Sequence, residues 1–473
     1  MARSQFLSLR AAALPLPTDF LHAPRPARRR ARELPRDGAS LTVAKPAIPE
    51  VMDTETGTHL HVSEVIGNSY EALIKLRMAV RAGQHLKRPM YVCSICQTPV
   101  FICRVPHESK FFFKHKEEND NCPSITRGHL SRDEIDALKY NGAKESALHL
   151  KMKEWLSTCL NLDPQFKDVK MESRWRGGLG TWRQPDVRAT FRGQSIAFEI
   201  QLSTTYLDVI VARRQFYLQE GGLLMWVFAE FDNDHRRLTE DDVFYNNNCN
   251  AFVVTSKTVQ ASLDAGSFKL GCIWTTPSVG GIPGILHRKL VGFEELTLDP
   301  GQQQVYYFDY AGEVGKRQAA ARDRAETLRR DFEAWWADRW RDGPPSGKWD
   351  EFRPRFQLEG LSLPADYRDL ETDLIVAMYS AKFNKPYGQR LKFLVQVAHR
   401  IGQAKKQHLT WFMHAVRYYQ RDDTMWAEGT PGVWNAKYIR CQKEYKLDPT
   451  PFAPMRELQP FIEFLLPELA PLP

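Results

Sequence analysis

The sequence predicts a mixed α/β protein, α+β in arrangement: a short Cys/His-rich segment, a small sheet flanked by helices, and a mainly helical C-terminal region. Three patterns predict it. From Ser195 to Ser203 the apolar Ile196, Phe198, Ile200 and Leu202 alternate with Ala197, Glu199 and Gln201, the period of a strand. Ala143–Leu160 has helical spacing, with Leu148, Met152, Trp155 and Cys159 on one side. The last third repeats that period in Ala377–Phe383, Arg390–Lys406 and Leu409–Gln420.

The elements follow in order. Residues 1–50 hold seven prolines and Arg28-Arg29-Arg30, with nine Lys or Arg against four Asp or Glu, a net of +5. Such a segment buries little and is expected to be a disordered tail whose removal through Ala44 leaves stability unchanged. Phe6–Pro17 has signal-peptide character, interrupted by Arg10, Pro15 and Pro17. The second region, 51–130, has a helix expected at Ser69–Gly83 and then the cysteine segment. The third, 131–310, opens with a polar helix at Leu130–Gly142 and carries the Ala143–Leu160 helix. Strands are expected at Asp168–Trp175, Asp186–Phe191, Ser195–Ser203 and Leu223–Phe228, a helix at Thr205–Glu220, and short β-runs in Ala251–Tyr310. Gly221-Gly222 ends the helix. The fourth, 311–473, starts with a charged helix, Gly315–Arg341, whose Trp335, Trp336 and Trp340 are expected to anchor it to a core. The Pro/Gly linker Gly343–Gly347 follows.

Cys93-Ser-Ile-Cys96 followed by His115 and Cys122 has the ligand types and opening spacing of a closed structural Zn²⁺ site, with Cys103 and His107 as competing ligands. Tyr91, Val92, Val100, Phe101 and Phe111–Phe113 around it suit a small zinc ribbon. Cys249, Cys272 and Cys441 read as buried thiols.

The second chemical centre is Pro185-Asp186 with Glu199-Ile200-Gln201. A turn at Arg192-Gly193-Gln194-Ser195 sets Asp186 opposite Gln201 and diagonal to Glu199, on one face. Two acids this close repel unless a cation lies between them, and oxygen ligands suit Mg²⁺ or Mn²⁺. Glu145, His149 and Lys153 recur every fourth residue upstream, a stripe that normally marks a solvated helix face.

Asp186 with acid-x-Gln at Glu199–Gln201 resembles the PD-(D/E)xK nuclease core in its variant with Gln for Lys. The expected order of helix, strand, strand, strand, helix, strand is similar to its restriction-endonuclease-like αβββαβ core. With Phe111-Phe-Phe-Lys-His115, Glu145-Ser-Ala-Leu-His149, Pro185-Asp186-Val187 and the Arg213…Tyr217…Trp226 series, the stretch from Tyr91 to Phe231 resembles the competence protein CoiA-like family. Phe244-Tyr-Asn-Asn-Asn-Cys-Asn250 is similar to longer members. The resemblance implies a metal-dependent deoxyribonuclease in bacterial DNA processing, recombination or defence. Glu145, Asp186, Glu199 and Gln201 would be catalytic, Asp186 and Glu199 would hold Mg²⁺ or Mn²⁺, and Arg213 and Tyr217 would touch substrate. The alternatives are a catalytically weak DNA-binding recombination factor on the same scaffold and a zinc-containing interaction protein.

Composition narrows the rest. Hydrophobic residues at 43% and charged residues at 26% suit an ordinary globular chain rather than a disordered one. The net charge is +8, but beyond residue 50 there are 56 Lys or Arg against 53 Asp or Glu, so bulk charge is weak support for DNA binding. No run of about 18 apolar residues suits a membrane span. P-loop, dinucleotide and GxSxG motifs are lacking. DNA is the expected partner, without membrane, in a cytoplasmic setting.

Overall fold

The computed structural model describes residues 39–105, 108–117, 122, 124, 147–178, 180–201, 207–232, 236–277, 284–338 and 346–473. The chain divides into two compact units, Met1–Gly315 and Lys316–Pro473. Both α and β structure are present, and no described helix is long and apolar enough to cross a membrane.

The first unit begins with β1 (Glu50–Asp53) and β2 (His59–His61), which form an antiparallel sheet with β3 (Tyr91–Cys93). Between them lie α1 (Val62–Ile66) and α2 (Tyr70–His85), the latter capped by the Ser69 hydroxyl accepting from Ala72 N–H. β4 (Val100–Arg104) and β5 (Phe111–His115) form a hairpin. The expectation of an unstructured segment through residue 50 fails for its last twelve residues. Leu41 and Ile48 are buried, Phe111 N–H donates to Leu41 at 2.7 Å, and Val43 N–H donates to Phe111 at 3.1 Å. Two apolar side chains and a bridge to β5 suffice to dock a Pro-rich strand. The rest of the expected tail lies outside the described residues, as does the Leu130–Gly142 helix.

α3 (Ala147–Leu162) then packs Met152, Trp155, Leu156, Cys159 and Leu160, at helical spacing, against the main sheet. Among the described residues that sheet has seven strands. They are β6 (Phe166–Met171), β9 (Val187–Phe191), β10 (Gln194–Gln201), β11 (Leu223–Phe228), β12 (Asn250–Val253), β13 (Lys269–Thr275) and β14 (Leu286–Gly292). Their spatial order is β14-β13-β12-β11-β10-β9-β6. β7 (Trp175–Arg176) and β8 (Trp182–Arg183) form a separate small hairpin between β6 and β9. β10 and β11 run parallel, joined through α4 (Leu207–Gln219), as a crossover requires. The β-runs expected near Phe252 and Gly271 extend the sheet while the one near Val305 joins a separate hairpin, and two helices were not foreseen: α5 (Leu238–Asn246) before these runs and α6 (Ser256–Ala265) among them.

One register differs from expectation. The β9–β10 turn is Arg192-Gly193 alone, with φ of 47° and 90°, and Gln194 already pairs with Phe191. Positive φ at both positions suits a tight two-residue hairpin. The ladder pairs Val187 with Phe198, so Asp186 continues opposite Glu199 rather than Gln201.

Two polar networks hold this unit. Arg236 pairs with Asp241 at 2.8 Å, Tyr70 donates to Asp241 at 2.8 Å, and Arg77 lies 3.5 Å from Asp242, tying α2 to α5. The Asn cluster after α5 stitches the chain that follows the small β15 (Thr297–Asp299) and β16 (Gln304–Tyr306) hairpin. Asn250 Oδ1 accepts from Tyr307 and Phe308, and Asn248 Oδ1 accepts from Ala311. The motif Phe244–Asn250 is thus occupied with structure.

The second unit is helical around its own core. α7 (Tyr310–Asp338) buries Leu328, Phe332, Trp335 and Trp336 against Trp349, Phe352 and Phe356 of α8 (Ser346–Leu358). Trp335 and Trp336 have the expected anchoring role; Trp340 lies outside the described residues. α9 (Thr372–Phe383), α10 (Leu394–Ala404), α11 (Leu409–Tyr418), α12 (Asp422–Ala427), α13 (Val433–Leu447) and α14 (Gln459–Leu465) complete it.

Candidate functional site

The first candidate centre is built by three short segments. Cys93 ends β3, and Gln97, at φ 56°, turns the chain so that its N–H donates to Cys93 C=O and brings Cys96 back. His115 ends β5, and Cys122 follows. The ligand atoms of Cys93, Cys96, His115 and Cys122 lie within 4.8 Å of one another. Cys93 Sγ is 3.9 Å from Cys122 Sγ, and Cys96 Sγ is 3.4 Å from His115 Nε2. A tetrahedral zinc with bonds near 2.0–2.3 Å needs edges of roughly 3.4–3.8 Å, so the four could hold a metal ion such as zinc. Burial pushes the Cys122 thiol up to about 11, a cost that a bound cation would offset by holding the thiolate. Of the competing ligands, Cys103 is buried outside this group and His107 lies outside the described residues.

The second centre lies where β9 and β10 meet α3 and α4. Asp186 precedes β9, and its Oδ2 accepts from Ile200 N–H at 2.8 Å. His149 Nε2 is 3.2 Å from the same oxygen, and Lys153 Nζ is 3.4 Å from Oδ1. Burial alone would raise Asp186, but His149, the Ile200 N–H and Lys153 outweigh it and hold the carboxyl below its ordinary value. Glu199, on β10, is almost wholly buried. Its Oε2 pairs with Arg213 of α4, while Oε1 is buried without a close hydrogen bond and the Tyr217 hydroxyl favours the charged carboxyl from nearby. Burial pushes Glu199 up to about 8; Arg213 pulls it down and the Asp186 charge pushes it up again. Gln201 is buried two residues further along the same strand face.

Asp186, Glu199 and Gln201 thus share one sheet face as expected, while Glu145 lies outside the described residues. The described part of that stripe is not a solvated face: His149 and Lys153 point at Asp186, and Lys153 is buried. Sequence spacing held a signal for this, because Lys153 is in helical phase with Leu156 and Leu160, both buried. The two expected substrate contacts differ in access, Arg213 being partly exposed and Tyr217 buried. Tyr217 is fully buried, edge-on to Trp175 at 5.3 Å, with its phenol raised well above the ordinary value by burial and by Glu199. Arg213 is already paired with Glu199.

Beside the centre stands the β7–β8 hairpin. Its root is fixed by Trp175, whose ring lies where a Cβ on Gly222 would have to go, 2.6 Å away, and by Gly178 N–H donating to Glu220 at 3.1 Å. It presents exposed Arg174 stacked 4.5 Å over exposed Trp182, with Arg176 and Arg183 alongside.

Residues 57–129 match a domain of unknown function, DUF7830, and residues 133–311 match another, DUF6035. The first span contains the four Cys and His ligands, and the second contains both carboxylates. No curated protein matches. A cryo-EM structure of a DrdV–DNA complex is similar at 13% identity over 71% of this chain and 27% of that one, with a TM-score of 0.14, too low to carry an argument.

Proposed function

We propose that the chain is a divalent-metal-dependent DNA nuclease with a restriction-endonuclease-like core and a separate structural zinc ribbon. The observation that carries this reading is the carboxylate pair Asp186 and Glu199. It sits on adjacent strands, flanked by the cationic Lys153 and Arg213, with Glu199 almost wholly buried. Two carboxyl groups converging in a buried site fit a hard cation such as Mg²⁺ or Mn²⁺, which would favour the ionised form of both. The order α3, β6, β9, β10, α4, β11 also supports it, being that of the αβββαβ nuclease core.

When bound, such a cation supplies an acidified water and charge relief for phosphate. Asp186 and Glu199 would hold it. The Ile200 N–H and His149 fix the Asp186 carboxylate, which keeps one oxygen edge directed. Gln201 can orient a water but adds no charge. Arg213 keeps Glu199 in one conformation. The Arg/Trp hairpin offers guanidinium groups to phosphates and an indole to a base, the chemistry of nucleic-acid surfaces.

One observation favours a second reading, a DNA-binding factor with little or no catalysis: Arg213 already neutralises Glu199, so the acid pair is partly satisfied without metal. Cleavage of linear and single-stranded DNA by the purified protein across Mg²⁺ and Mn²⁺ separates the two. Metal-dependent products favour the nuclease, whereas salt-dependent binding without products under all conditions favours the second reading.

A further inference from the structure

We infer that Lys153, from α3, supplies the positive charge that a lysine at position 201 would otherwise bring to the reacting phosphate; this rests on the nuclease reading above. The phosphodiester bond is broken by a water oxygen forming a bond to phosphorus while one ester P–O bond opens. The water's proton leaves to solvent, and the departing oxygen is protonated. Negative charge grows on the phosphoryl oxygens throughout, so a fixed cation at that point is valuable. Gln201 offers none.

Among the described residues, two fixed cations, Arg213 and Lys153, contact the carboxylates beside the titratable His149, and the surroundings of the two differ. Arg213 is committed to the buried Glu199. Lys153 enters from the opposite side, with its side chain 6% exposed, and places Nζ 3.4 Å from Asp186 Oδ1. Its shorter contact, 2.6 Å, is to Glu172, whose side chain is 50% exposed. A buried ammonium is costly to hold without a reason, and its tether here is a surface carboxylate that water can replace. The stem is packed while the head group faces the oxygen on which a metal and a phosphate would converge. Lys153 therefore reaches the same point as a strand lysine, from a helix.

The test uses the full-length, zinc-loaded protein and DNA cleavage in Mg²⁺. Lys153→Met should reduce cleavage by about 10²–10³-fold while DNA affinity stays close to wild type. Adding Gln201→Lys to Lys153→Met should recover at least roughly tenfold of that loss, which a packing role for Lys153 does not predict. Glu172→Gln, a surface change, should cleave like wild type. Lys153→Met cleaving like wild type, a double variant no better than the single one, or loss of cleavage in Glu172→Gln would each overturn the inference and leave the nuclease reading intact. A wild-type protein that never cleaves would overturn the nuclease reading itself.

Discussion

Glu199 carries more conflict than any other side chain of the carboxylate centre. Burial raises its carboxyl from 4.5 to about 8 against the pull of Arg213. The folded state therefore holds this proton more tightly than the unfolded chain does. Without added divalent cation, the stabilising effect of that proton is complete below pH 4.5 and is lost as pH rises toward 8. Urea melts at pH 5 and pH 8 should show this fall, and Glu199→Gln should flatten it; an unchanged slope in the variant would assign the effect elsewhere. The acids, the amide and the four Cys/His ligands were legible in the sequence because each is chemically distinctive and closely spaced. Lys153 and His149 were not, because a charged i, i+4 stripe is ordinarily solvent-facing and only the fold brings Asp186 onto it. Tyr217, given a substrate contact only by the resemblance, is buried instead with its ring edge-on to Trp175.

At the scale of elements, the hydrophobic period located most strands and helices, and Leu223–Phe228 was expected with the bounds observed. Register depended on a single turn. Reading four turn residues where the hairpin uses two moved the partner of Asp186 from Glu199 to Gln201. Residues 39–50 show how composition misleads, since buried Leu41 and Ile48 with a backbone bridge to Phe111 outweigh local polarity. Leu41→Ala should destabilise the first unit by about 2–5 kcal/mol in chemical denaturation, and a change under about 0.5 kcal/mol would return this segment to a dispensable tail. The Cys93–Cys122 cluster should bind about one zinc per chain by elemental analysis. Cys93→Ser should lose the metal and lower the melting temperature, and a folded, zinc-free wild type would refute the assignment. In the second unit, His408 is fully buried 3.2 Å from Glu371. Burial lowers His408 below 6.5, and Lys405 and His408 together lower Glu371 against the effect of its own burial. Both groups bind protons less readily folded than unfolded, so stability present above pH 6.5 should decline as pH falls below it and again below 4.5. His408→Gln should remove the upper part of that decline in tryptophan-monitored melts.

For the whole molecule, the two compact units have separate hydrophobic cores, and the Cys/His cluster and the carboxylates both belong to the first. Scanning calorimetry should therefore resolve two transitions, of which zinc chelation lowers one; a single transition that shifts as a whole would show the units to be coupled. The change to helical periodicity pointed to a helical second unit, but the Pro/Gly linker Gly343–Gly347 falls within residues 316–473 rather than at the boundary after Gly315, and no composition signal reports what the helical unit does. The central claim is that the Asp186–Glu199 pair makes this chain a nuclease. It is tested most directly by comparing wild type and Asp186→Asn in Mg²⁺-dependent DNA cleavage, with DNA binding and melting temperature measured on the same samples. The asparagine keeps the shape and the bond from Ile200 N–H but removes the charge. It should lower cleavage by about 10³-fold or more, roughly 4 kcal/mol of transition-state stabilisation, with binding and fold retained. Cleavage by Asp186→Asn at the wild-type rate would contradict the account.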